Sequence, residues 1–150
     1  MRQKFFHAGT VICYGNYQNN NFHSTHVTAR NIKKQIHDWD KIYKFVVYRK
    51  EEEIIESDYR LHMSYYEQVG LDVLNPQWEA TVLKSMSENL EEFKKRRWDP
   101  WLKGKGVVEH WVGRENMDQF DVLDFYNINE EFKKLLMRFD LPVIDLEKCN

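Results

Sequence analysis

Between Tyr43 and Arg60 a short apolar run gives way to a carboxylate-led helical pattern, and this junction confines the chain to folds in which a buried strand feeds a helix. The segment Lys44, Phe45, Val46, Val47, Tyr48 is rich in β-branched and aromatic side chains and too short for a helix, so it reads as a buried strand. Glu51, Glu52 and Glu53 follow, and carboxylates in a first turn suit the positive end of a helix dipole. Ile54, Asp58, Leu61 and Tyr65 then recur at three- to four-residue spacing, the mark of a helical face. Arg49 stands at the junction, and Ser57 comes eight residues later, two turns on. A guanidinium at a strand end with a hydroxyl on the next helix forms a phosphate clamp, because helix starts and Arg both favour anions. The competing reading pairs Arg49 with Glu52 or Glu53 and treats Ser57 as a small residue that allows close packing.

The rest of the chain alternates in the same way. Residues 3–14 hold an apolar stretch that reads as a strand, and Asn16 to Asn21, headed by Gly15, read as a polar loop. Thr28 is placed to cap a helix carrying Ala29, Ile32 and Ile36 on one face and ending before Trp39. The helix from Glu51 runs to about residue 68, with Gly70 as its stop. Asn75 and Pro76 are a cap and a first-turn proline, after which Trp78, Val82, Met86, Leu90 and Phe93 keep helical spacing to about Arg97. Trp98 to Gly106 reads as a loop, Val107 to Val112 and Phe120 to Tyr126 as strands joined by a polar turn around Arg114 to Asp118. Ile128, Phe132, Leu135, Leu136 and Phe139 mark the last helix, the clearest amphipathic pattern present.

Composition narrows the function classes. A chain of 150 residues, 42% hydrophobic and 15% aromatic, is sized for one core, so a single domain over 1–150 is expected. A formal charge of −2 gives no electrostatic case for nucleic acid as a partner. The run Lys94, Lys95, Arg96, Arg97 follows acidic residues on the same helix and reads as a solvated face. Cys13 and Cys149 make neither a disulfide scaffold nor a metal site, which points to a reducing interior. His7, His23 and His26 lack a zinc-ligand spacing, and no metal is expected. With no apolar run near eighteen residues and no leader pattern, the expectation is a soluble, cytoplasmic protein with no membrane partner. Trp98, Trp101 and Trp111 read first as core residues and second as faces on which a sugar or adenine stacks.

Several segments, taken in order, resemble the sulfotransferases that use 3′-phosphoadenosine 5′-phosphosulfate, particularly the carbohydrate and membrane-type branch. Tyr48, Arg49, Lys50, Glu51 stand where that family has a strand ending in Arg-Asn-Pro, and Ser57, Asp58, Tyr59, Arg60 match its Ser-x-Tyr-Arg segment. His26, Val27, Thr28, Ala29, Arg30, Asn31, Ile32 resembles its His-x-Thr-Ala-Arg-Glu-Ile helix start, with Trp39 and Asp40 preceding the strand. Phe125 to Phe132 resembles its Glu-Asn-Leu-Glu-Glu-Asp-Phe helix start, in a helix running to Leu141 and Pro142, and the chain closes on Leu146 and Asn150 much like its Leu-Pro-x-x-Asn ending. The resemblance covers about the last four-fifths of the chain. It implies an α/β, P-loop-NTPase-like sulfotransferase fold, with a short parallel sheet flanked by helices and reduced at the N-terminus. It also implies that Arg49 and Ser57 bind the 3′-phosphate of the nucleotide co-substrate and that His26 deprotonates a hydroxyl of a carbohydrate or small-molecule acceptor.

The chain departs from that family where the 5′-phosphosulfate loop belongs. Phe5, Phe6, His7, Ala8, Gly9, Thr10 holds no Lys or Pro in the loop, and the nearest cation, Lys4, precedes the apolar residues. Losing preorganised positive charge where negative charge develops costs two to three orders of magnitude in rate, roughly 3 to 4 kcal/mol. Three classes therefore stand side by side: a sulfuryl transferase, a catalytically weak or inactive module that keeps nucleotide affinity, and a structural or interaction protein that keeps only the fold. His26 also reads as a plain cap or solvent histidine.

Overall fold

Strands covered on both faces are built from consecutive apolar residues, and β1 (Lys4–Ala8) has Phe5, Phe6 and Ala8 all buried. The computed structural model describes residues 4–8, 15–17, 20–25, 28–69, 89–144 and 146. They divide between two units, Met1–Arg49 with Val108–Asn150, and Lys50–Val107.

The first unit is a five-stranded sheet in the order β2-β3-β1-β4-β5. Its members are β1, β2 (Gly15–Tyr17), β3 (Asn20–Thr25), β4 (Tyr43–Tyr48) and β5 (Asp121–Asp124). β1 pairs parallel with both β3 and β4, and β4 pairs parallel with β5. β2 and β3 pair antiparallel, so Asn16, Tyr17, Asn20 and Asn21 lie in strands, a correction to the polar-loop reading of Asn16 to Asn21, of which residues 18 and 19 lie outside the described residues. The asparagines argued for a turn by propensity, and the pairing of β3 with β1 and of β2 with β3 overrides that preference. The mixed α/β class expected from the sequence is present. On one face Phe5, Phe45, Leu123 and Leu135 form a core cluster with Val47, Ile128, Phe132, Phe139 and Leu141 packed against it. Phe5 meets Phe139 edge to face at 5.1 Å between centroids, a geometry that favours ring quadrupoles. On the other face Phe6 contacts Trp39 at 5.6 Å and Phe120 at 6.1 Å.

Helices follow from local signals. α1 (Ala29–Lys33) is shorter than its apolar spacing predicts; Thr28 holds the N-cap position through its carbonyl, which accepts from Asn31 and Ile32, while its side chain makes no cap bond. The chain then turns through a 3-10 segment, Trp39–Lys41. Lys44 is buried and donates to the Trp39 and Ile42 carbonyls, each at 2.7 Å, which closes that turn as a cation does at a helix end. Burial pushes the Lys44 ammonium below its ordinary range.

The second unit centres on α2 (Glu51–Val69), as expected at its start. Its core face is Ile55 with Ile54, Tyr59 and Met63, whereas Leu61 is exposed, so the predicted face is rotated. Of the helix expected from Asn75 and Pro76 to Arg97, residues 75–88 lie outside the described residues, as does Gly70; Asn89 is extended, not helical, and its side chain accepts from the Glu92 amide at 2.9 Å to cap α3 (Leu90–Phe93). A π-helical segment, Lys94–Trp98, and α4 (Asp99–Leu102) follow, replacing the start of the predicted loop; Pro100 sits in the first turn, where its missing N–H costs nothing. Phe93, Trp98 and Leu102 complete the cluster around Ile55.

Val107–Val112 is a helix, α5, and not a strand. Val107, Val108, Trp111 and Val112 fall on one helical face, a period that outweighs the β-branched composition. Gly113 ends it at φ +81°, a left-handed conformation that costs glycine little. The strand predicted to Tyr126 stops at Asp124, whose carboxylate accepts from the Tyr126 amide at 3.0 Å and opens a 3-10 turn, Phe125–Asn127. α6 (Ile128–Arg138) then packs Leu135 and Leu136 inward. It ends three residues before Leu141, in a Schellman arrangement: Leu141 N donates to the Leu136 carbonyl and Asp140 N to that of Met137, with Asp140 left-handed at φ +53°.

Candidate functional site

In open parallel sheets, ligands sit outside the carboxyl ends of the strands where the winding direction reverses. The chain leaves β1 for β3 on one side and returns to β4 on the other, so the reversal falls between β1 and β4. Arg49 is the residue that follows β4 at that edge. The register pairs Tyr48 with Asp124, which sets Arg49 beside Phe125. The Arg49 guanidinium carbon lies 4.6 Å from the Phe125 ring centroid, a cation–π contact. Phe125 meets Tyr126 edge to face at 5.6 Å, and both rings are exposed, as is Tyr48.

Arg49 thus stands where an anion is expected, held by a ring. Ser57 lies in α2 six residues from its start, about 9 Å along the axis at 1.5 Å per residue, and is exposed. Arg49 belongs to the first unit and Ser57 to the second. His26 and the segment after β1, residues 9–14, lie outside the described residues. His7, on β1 one residue before its end, stacks on Phe45 at 5.0 Å and 16°, and burial holds its imidazole down at about 4, hence neutral at neutral pH.

The opposite, amino edge is closed by bonded groups. The Tyr43 hydroxyl donates to Asp121 Oδ2, and Arg138 Nη1 donates to the same oxygen at 3.1 Å while lying 5.2 Å from the Tyr43 ring. Burial first, and the Asp121 carboxylate second, push the Tyr43 phenol well up.

A polar constellation in the second unit escaped the sequence reading. Asp58 Oδ2 accepts from Arg97 Nε at 3.0 Å and from Trp98 Nε1 at 2.9 Å, and Asp58 Oδ1 lies 3.1 Å from His62 Nδ1. Consecutive residues of an α-helix diverge by about 100°, and the wider π-helical winding of Lys94–Trp98 lets Arg97 and Trp98 reach one carboxylate. Arg97 therefore departs from the solvated basic run in which the sequence placed it. Burial opposes ionisation of Asp58, but the bonds from His62 and Arg97 outweigh it and hold the carboxyl below its ordinary value. The Asp58 to His62 spacing of four was the one signal available in advance. This cluster ties α2 to the π-helical segment. An open depression of about 420 Å³ elsewhere in that unit is lined by Glu51, Asp99, Leu102, Gly104, Lys105 and Gly106, with no buried polar side chain among them.

Among the described residues no group of three or more His, Cys, Asp or Glu is arranged to hold a metal, and no helix is long and apolar enough to cross a membrane. No protein-family model, curated protein or solved structure matches the chain.

Proposed function

We propose that the chain has a P-loop-NTPase-like sulfotransferase fold, binds 3′-phosphoadenosine 5′-phosphosulfate without a metal, and transfers its sulfuryl group to a hydroxyl of a carbohydrate or small-molecule acceptor. The observation that carries this reading is the place of Arg49, at the carboxyl end of the strand beside central β1, where the winding reverses. In this reading Arg49 binds the 3′-phosphate through its N–H donors, with Ser57 as the second ligand. The acceptor oxygen attacks sulfur in line as its proton passes to His26. The bond from sulfur to the bridging oxygen breaks, and adenosine 3′,5′-bisphosphate leaves with the electron pair. Residues 9–14 contain no Lys to stabilise that leaving charge, which favours a second reading, nucleotide binding without turnover.

Calorimetry with adenosine 3′,5′-bisphosphate, followed by transfer of labelled sulfuryl across a panel of glycans and alcohols, separates the two. A charge-assisted hydrogen bond contributes about 1.5 to 3 kcal/mol, so Arg49→Ala is expected to weaken binding roughly 10- to 100-fold. Binding without transfer to any acceptor leaves the second reading. Absence of binding ends both and leaves an interaction protein, for which light scattering reports self-association.

A further inference from the structure

We propose that Phe125 is the positioning residue for Arg49 and so sets the preference of the site for a ligand bearing a 3′-phosphate, an inference that rests on the nucleotide-binding reading above. A free Arg side chain samples many rotamers, and each one immobilised on binding weakens affinity. The Phe125 ring, 4.6 Å from the guanidinium carbon, restricts that sampling before a ligand arrives. Phosphate recognition uses the in-plane N–H fork of the guanidinium, which an aromatic ring does not accept as an anion would.

The ring is itself placed by the backbone. β4 and β5 pair through Tyr48 and Asp124, so the next residue on each strand falls side by side. Phe45, Val47 and Leu123 share the face of the inner cluster, and alternation along a strand carries Arg49 and Phe125 onto that same side. Asp124 then fixes the turn, accepting from the Tyr126 amide at 3.0 Å, and Tyr126 sets its ring at 87° to that of Phe125. One hydrogen-bonded turn thus sets the ring against the guanidinium.

The test compares the affinities of adenosine 3′,5′-bisphosphate and adenosine 5′-monophosphate, whose ratio isolates the 3′-phosphate. Phe125→Leu keeps an apolar side chain and removes the quadrupole, so the ratio is expected to fall about two- to fivefold, while Phe125→Tyr retains it. In an Arg49→Ala background, Phe125→Leu is expected to leave the ratio unchanged, because the ring has no cation left to hold. If Phe125→Leu does not fold, Phe125→Trp decides: a ratio at or above that of the wild type supports the assignment, and a lower one overturns it. Equal weakening of both nucleotides by Phe125→Leu, or an unchanged ratio, overturns the role of Phe125 and leaves the nucleotide site standing. A wild-type chain that binds the two nucleotides equally, or neither, overturns the nucleotide reading and this inference with it.

Discussion

Acidification is expected to destabilise the sheet unit through His7, and the size of the effect follows from its surroundings. His7 lies on central β1, half-buried, with its ring stacked on Phe45, and its pKa falls from 6.5 to about 4 through loss of solvation. In the unfolded chain the imidazole takes up a proton near 6.5; in the folded chain it does so only near 4. Between those values the unfolded state binds more protons, so stability falls as pH falls. The contribution is fully present above 6.5 and exhausted near 4, with a steepest slope of about 1.4 kcal/mol per pH unit and a total of about 3 kcal/mol. His7→Phe retains a flat ring against Phe45 and removes the titration. Urea unfolding followed by circular dichroism at half-unit steps from pH 7.5 to 4 measures both proteins, and the other histidines and carboxylates cancel in the difference. The variant is expected to match or exceed the wild type at pH 7 and to exceed it by a further 3 kcal/mol or so at pH 4. Parallel curves for the two proteins over that interval refute the argument.

Asp58→Ala leaves the indole N–H of buried Trp98 without its acceptor and separates Arg97 from its carboxylate, with an expected loss of about 2 to 3 kcal/mol in urea unfolding. Because the Asp58 carboxyl is held below its ordinary value, its contribution is present above about pH 4 and lost as pH falls through the folded value, and Asp58→Ala is expected to flatten that acid limb. At the end of α6, Asp140 is left-handed at φ +53°, so Asp140→Gly is expected to raise stability by about 0.5 to 1 kcal/mol, read as a higher urea midpoint; a lower midpoint refutes the strain argument.

What was legible in the sequence was legible where one signal dominated. β4, the start of α2 and the face of α6 each combine a clear period with agreeing end signals, and the structure keeps them. α5 was misread because two adjacent valines weighed as β-formers, although Trp111 and Val112 repeat them at helical spacing. The helix start at Asn89 was visible as Asn followed three residues later by Glu, but the apolar spacing of Leu90 and Phe93 fitted a helix running through it equally well. The strands β2 and β3 had little local signature, because β3 depends on pairing with β1 and β2 on pairing with β3. The strand-end position of Arg49 was legible, whereas its contact with Phe125 was not, since they lie 76 positions apart and only the β4–β5 register brings them together. Asp58 was similarly hidden: the π-helical winding that brings Arg97 and Trp98 to it has no pattern in the residues themselves.

Arginines stand at both ends of the sheet, and the strand-end argument predicts which end is functional. At the amino edge, Arg138 bonds to the Asp121 carboxylate that also accepts from Tyr43, so its charge is consumed within the fold. At the carboxyl edge, Arg49 follows β4 beside the reversal of winding, with its guanidinium carbon 4.6 Å from the Phe125 ring centroid. Tyr43→Phe is therefore expected to lower stability by about 1 kcal/mol, for one partly exposed hydrogen bond to a charged group, and to leave nucleotide affinity unchanged. Arg49→Ala is expected to do the reverse, with a stability loss of less than about 1 kcal/mol and a tenfold or greater loss of affinity for adenosine 3′,5′-bisphosphate. Urea unfolding and calorimetry on the same two variants give four numbers. Should Tyr43→Phe be the variant that weakens nucleotide binding at undiminished stability, the ligand occupies the amino edge, and the strand-end argument for Arg49 fails.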